Sequence, residues 1–124
     1  MKKIYYGKAV YDYKEIKAVT KVLKEQPLQL IDGKNVKKLE KKICKLFGKK
    51  YGLMVNSGSS ANLLAISSLN LKNGSEIITP NLTFSTTVAP IFQLGLVPHF
   101  LGVEKNKFVA DVNQIEKCIN SKTK

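Results

Sequence analysis

The chain has 124 residues, 44% hydrophobic and 24% charged, with 21 basic residues, all of them lysine, against nine acids for a net charge of +12. That length holds one ordinary domain, the mix is that of a soluble globular protein, and no apolar run approaches the ~18 residues a membrane span needs. Two cysteines, Cys44 and Cys118, are too few for a disulfide scaffold, and neither stands in a metal-ligand spacing.

The opening residues, Met1 to Tyr6, lack an apolar stretch and a small-residue cleavage site, so a cytoplasmic protein is expected. Fifteen of the lysines and five of the acids fall in residues 1–50. A basic half suits acidic partners, but lysine offers a mobile point charge where arginine offers a bidentate fork. The expected reading is a solvated lysine-rich surface, and nucleic acid is not the expected partner.

From Asp12 to Glu25, Ile16, Val19 and Leu23 recur at helical spacing, with Asp12 placed as N-cap and Pro27 as terminator. Leu28 to Lys34, with Asp32-Gly33, reads as a loop. Val36 to about Phe47 forms a second helix. Its apolar stripe is Val36, Leu39, Ile43 and Leu46, lysines cover its outer face, and Gly48 stops it. The pattern then shifts. Tyr51–Val55 has strand length, and Asn56 to Ser60 breaks it. Ala61–Leu69 reads as a helix, Asn73-Gly74 as a turn, Glu76–Thr79 as a strand and Phe84–Leu94 as a helix closed by Gly95. Pro90 stands inside that helix. Val97–Val103 reads as a third strand. Asp111 caps a last helix in which Val112, Ile115 and Ile119 share a face. Short strands alternating with helices predict βαβ units, an α/β fold and a parallel sheet.

Two loops could carry chemistry. Ser57-Gly58-Ser59-Ser60 joins a strand to a helix. A helix N-terminus exposes unpaired N–H groups and partial positive charge, and a glycine allows close approach, so the segment suits a phosphate. An ordinary serine N-cap after a tight turn fits the same residues. The pattern is neither a P-loop nor a GxGxxG fingerprint. Pro80 to Thr87 also joins a strand to a helix, which in a parallel sheet puts both loops at the carboxyl edge. Phe84 could stack there on a planar ring, or serve as core. His99, with apolar neighbours, reads as a packed strand residue rather than a catalyst, and Cys44 and Cys118 read as plain helix cysteines. No catalytic triad and no metal site is expected.

In order, Val55-Asn56-Ser57-Gly58-Ser59-Ser60-Ala61-Asn62-Leu63-Leu64-Ala65, then Glu76-Ile77-Ile78-Thr79-Pro80, Leu82 to Thr87 and Gly95-Leu96-Val97-Pro98 resemble the DegT/DnrJ/EryC1/StrS sugar aminotransferases. Glu15-Ile16, the Gly33 loop, Leu39-Glu40 and Phe47-Gly48 match more loosely. The resemblance implies the N-terminal part of a fold-type I pyridoxal-phosphate (PLP) transferase: an α/β/α domain with a mainly parallel sheet, preceded by two helices. Residues 1–50 would be the helical lead-in and 51–124 the first part of the cofactor-binding domain. It implies pyridoxal 5'-phosphate or pyridoxamine 5'-phosphate (PMP) as cofactor. Gly58, Ser59 and Ser60 would hold the phosphate by backbone N–H and hydroxyl contacts, and Phe84 would stack on the pyridine ring. It implies a homodimer moving an amino group, from glutamate as donor, to a nucleotide-linked keto-sugar in surface polysaccharide or deoxy-amino-sugar biosynthesis.

The family's PMP-dependent sugar dehydratases offer a second reading, and Asn-Ser-Gly-Ser-Ser-Ala-Asn and Gly-Leu-Val-Pro are close to that branch. A basic nucleic-acid-binding module or an inactive remnant is the reading of another class. Ile31 stands where the family usually has Thr or Ser, and Gly102 where it usually has Asp. The resemblance places the ring-pairing Asp and the Schiff-base Lys beyond Lys124, so no catalytic residue is assigned here. A partial parallel sheet is expected to be poorly stable alone and to bind cofactor weakly.

Overall fold

A computed structural model describes residues 3–26, 28 and 30–124. The chain divides into two compact units, Met1–Met54 and Val55–Lys124.

In the first unit, α1 (Tyr13–Glu25) starts at a capping box. The Asp12 carboxylate accepts the Lys14 N–H at 2.7 Å, and the Asp12 N–H donates to Glu15 Oε2 at 2.8 Å. The Asp12 N–H first, and then the N–H of Glu15 itself, hold the Glu15 carboxyl below its usual range. Pro27, expected to end this helix, lies outside the described residues; the C-cap is Gln26. α2 (Lys34–Leu46) ends in a Schellman turn. Gly48 takes φ +62°, and the Lys49 N–H donates to the Cys44 carbonyl at 2.8 Å. The following residues return along α2. The Met54 N–H donates to Glu40 Oε1 at 2.7 Å, and Gly52 lies so close to Cys44 that a Cβ on it would sit 2.8 Å from Sγ. A lysine-lined groove of about 660 Å³ runs beside Lys37, Lys41, Lys45, Lys49 and Lys50. The apolar stripes of both helices, including Ile16, Val19 and Leu46, stay exposed.

Tyr51–Val55, expected as a strand, takes no regular secondary structure and pairs with no strand among the described residues. A strand is defined by its neighbour, and here the segment's one described polar tie is to a carboxylate on α2.

The second unit is a βαβ unit with a helix before it. It runs α3 (Gly58–Ser67), β1 (Glu76–Pro80), α4 (Ser85–Gln93) and β2 (Val97–Leu101). β1 and β2 are parallel, with Glu76 opposite Val97 and Pro80 opposite Leu101. The apolar core is Ile91, Leu96 and Leu101, all in this unit. α4 supplies Ile91, and the turn at Gly95 (φ +68°) swings Leu96 back beneath it, where its N–H donates to the Ile91 carbonyl at 2.8 Å. The third expected strand is shorter than read, because pairing stops at Leu101; Gly102 instead opens a small loop closed by a Val103–Ala110 bridge. The last helix is also shorter. It is a 3-10 turn (Val112–Gln114) capped by Asp111, followed by α5 (Ile115–Cys118), and Ile119 is already extended. On the far side of β1, Thr123 makes a parallel bridge to Glu76. The Glu76 N–H donates to the Lys122 carbonyl and the Lys124 N–H to the Glu76 carbonyl.

Candidate functional site

Both loops singled out in the sequence lie in the second unit. Ser57 is the N-cap of α3, and its Oγ accepts the Ser60 N–H at 3.2 Å. The Ser60 hydroxyl donates to Asn56 Oδ1 at 2.7 Å, so Ser60 has both donors engaged inside the turn. Helix geometry leaves the Gly58 and Ser59 N–H groups without intrahelical acceptors. Space opens in front of Gly58, where a Cβ would meet nothing within 4 Å, and Ser59 is exposed. The first turn carries no acid, so nothing there opposes the positive end of the helix. A phosphate fits this turn: two free backbone donors, one free hydroxyl and room for close approach.

Phe84 is the residue before α4, and its ring is exposed. It has no capping side chain; instead the Thr83 and Thr87 hydroxyls pair at 3.2 Å across the first turn. α3 packs on α4, and one side-chain bond joins their beginnings: Asn62 Nδ2 donates to the Thr86 carbonyl at 3.3 Å. A cleft of about 240 Å³ lies between the helices, lined by Ser59, Ser60, Thr86 and Pro90 among others. Gly58 and Phe84 do not line it. Sequence reading overlooked Asn56 and Asn62. Asn62 had one signal, since asparagine is a poor helix former and its presence one turn into α3 asks for a tertiary partner.

His99 is drawn elsewhere. Its Nδ1 lies 3.6 Å from Glu76 Oε2; Glu76 opens β1, while His99 stands in the middle of β2, opposite Ile78. Glu76 also accepts from Asn120 Nδ2 at 2.6 Å. That bond first, then His99 and Lys122, hold its carboxyl below the usual range. Cys44 and Cys118 are free and half-buried. Among the described residues there is no cluster of His, Cys, Asp and Glu suited to a metal, and no helix long and apolar enough to cross a membrane.

Comparison with known proteins matches residues 10–124 to the DegT/DnrJ/EryC1/StrS aminotransferase family. GDP-4-keto-6-deoxy-D-mannose 3-dehydratase of Yersinia pseudotuberculosis is 35% identical over 122 residues, covering 94% of this chain and 30% of that protein. UDP-4-amino-4,6-dideoxy-N-acetyl-beta-L-altrosamine transaminase of Helicobacter pylori is 33% identical, covering 100% of this chain and 33% of that protein. The solved structure of E. coli GDP-4-keto-6-deoxy-D-mannose-3-dehydratase, with bound hydrated PLP, superimposes with a TM-score of 0.84 at 36% identity, over 94% of this chain and 31% of that one. This chain therefore spans about a third of the length of these relatives, and its α/β fold is that of the fold-type I PLP enzymes.

Proposed function

This chain belongs to the DegT/DnrJ/EryC1/StrS aminotransferase family, and from that premise we propose that it forms the N-terminal part of the cofactor-binding domain of a nucleotide-sugar enzyme. The cofactor is PLP or PMP, and the whole protein is a homodimer that transfers an amino group, from glutamate as donor, to a nucleotide-linked keto-sugar. The observation that carries the reading is the first turn of α3, where two uncommitted N–H groups and the Ser59 hydroxyl face open space without an opposing acid. Gly58 and Ser59 hold the phosphate directly. Ser60, its donors engaged by Ser57 and Asn56, fixes the turn rather than spending its hydroxyl on the ligand. Phe84 offers its exposed ring to the pyridine. The bound cofactor supplies an electron sink conjugated to the reacting carbon, and these residues bind and orient it.

A second reading is the removal of a sugar hydroxyl with PMP. The two 3-dehydratases, at 35% and 36% identity, favour it. Supplying the whole protein with a nucleotide-linked 4-keto-6-deoxy-sugar and glutamate separates the two. An amino-sugar product supports transfer, and a 3-deoxy product supports dehydration.

The cofactor site itself is tested by titrating the whole protein with PMP, which lacks the aldehyde that would react with surface lysines, while recording amide NMR spectra. Saturable shifts at Gly58, Ser59 and Phe84 are expected. Saturation with those three amides unmoved overturns the assignment.

A further inference from the structure

α4 contains Pro90, and a proline has no N–H. In an uninterrupted helix the N–H of residue 90 would bond the carbonyl of residue 86. The Thr86 carbonyl is therefore left without its in-helix partner, and it is this carbonyl that accepts from Asn62 Nδ2 at 3.3 Å. The proline creates the vacancy and the asparagine of the neighbouring helix fills it. Four residues before Asn62 stands Gly58, at the start of α3, and two residues before Thr86 stands Phe84. The bond thus ties the turn offered to the phosphate to the turn carrying the ring-stacking phenylalanine.

We propose that Asn62 is a positioning residue: through the Thr86 carbonyl that Pro90 leaves free, it fixes the spacing between the phosphate-holding turn of α3 and Phe84. The inference rests on the cofactor site proposed above. A ligand held at both ends gains from fixed spacing, because once one end is seated the other meets its support at high effective concentration. A ligand held at one end gains nothing. Asn62 therefore matters for PMP and not for inorganic phosphate, which touches only the α3 turn. A residue needed merely for the fold of α3 would weaken both.

The test is a pair of titrations of the whole protein, with PMP and with inorganic phosphate, read at the Gly58 and Ser59 amides. Asn62→Leu keeps the branched side-chain shape and removes the donor. It is expected to weaken PMP about tenfold and to leave phosphate within about twofold. Pro90→Ala, which returns an in-helix partner to Thr86, is expected to show the same selective loss. Asn62→Leu added to Phe84→Leu is expected to cost no more than Phe84→Leu alone, since the two act on one contact. Equal losses for both ligands, or an unchanged PMP affinity in both Asn62→Leu and Pro90→Ala, overturn the positioning role while leaving the site in place. Neither ligand moving the two amides of the unaltered whole protein overturns the site, and this inference with it.

Discussion

At the first turn of α3 each small residue has its own task. Ser57 and Asn56 lock Ser60, while Gly58 and Ser59 keep their donors free. Ser59→Asp separates these tasks. A carboxylate at a helix N-terminus stabilises the helix by about 0.3–1 kcal/mol, yet it repels a phosphate at the same place. Thermal unfolding should shift slightly upward while PMP affinity falls by more than about tenfold; a variant that binds PMP as before would remove the phosphate from this turn. Glu76 gives a prediction in pH. Its carboxyl titrates lower in the fold than in the unfolded chain, chiefly because of Asn120. The stabilisation is present above the ordinary glutamate value of about 4.3 and is lost as pH falls through the lowered one. The protection factor of the Lys124 amide, whose N–H is held by the Glu76 carbonyl, should therefore fall in acid, and Glu76→Gln should flatten that dependence. The four candidate residues were singled out through the family resemblance, because small residues at a helix start fit a plain serine cap equally well, and an aromatic after a strand fits a core residue. Asn62 was hidden because its partner is a backbone carbonyl 24 residues away, freed by a proline that read only as a possible helix break.

Among elements, the helices were the most legible, since caps and stripes are local. Asp12, Gly48 and Asp111 all cap as their residue types dictate. Strands were less so, because pairing is supplied from elsewhere. Tyr51–Val55 has strand composition and finds no partner among the described residues, whereas Glu76–Pro80 has β2 beside it. The turn between α4 and β2 is where the βαβ unit is most exposed to mutation. Gly95 has φ +68°, and a Cβ there would lie 2.7 Å from Asn73 Oδ1. Gly95→Ala should cost about 1–3 kcal/mol through backbone strain, with a further loss from displacing Asn73. Chemical denaturation would show it as a lower midpoint at unchanged slope; equal midpoints would mean the turn relaxes freely.

For the whole molecule, the main physical fact is how little apolar surface is hidden. The described core is Ile91, Leu96 and Leu101, while residues such as Ile16, Val19, Leu53, Phe92 and Phe108 are more than half exposed. The 124 residues by themselves should bind a hydrophobic dye and self-associate with rising concentration, despite a net charge of +12 that opposes association. Sedimentation over a hundredfold concentration range checks this, and a dye-silent monomer throughout would refute it.

The contact between Gly52 and Cys44 also makes the first unit its own stopwatch. With the Cys44 sulfur packed against the Gly52 backbone on one side and facing the lysine-lined groove on the other, a reagent meets a narrower approach while residues 51–54 are seated than when they lift from α2. The labelling rate of Cys44, relative to that of a free thiol, therefore follows that opening. Gly52→Ala, whose Cβ would sit 2.8 Å from the sulfur, should raise the rate.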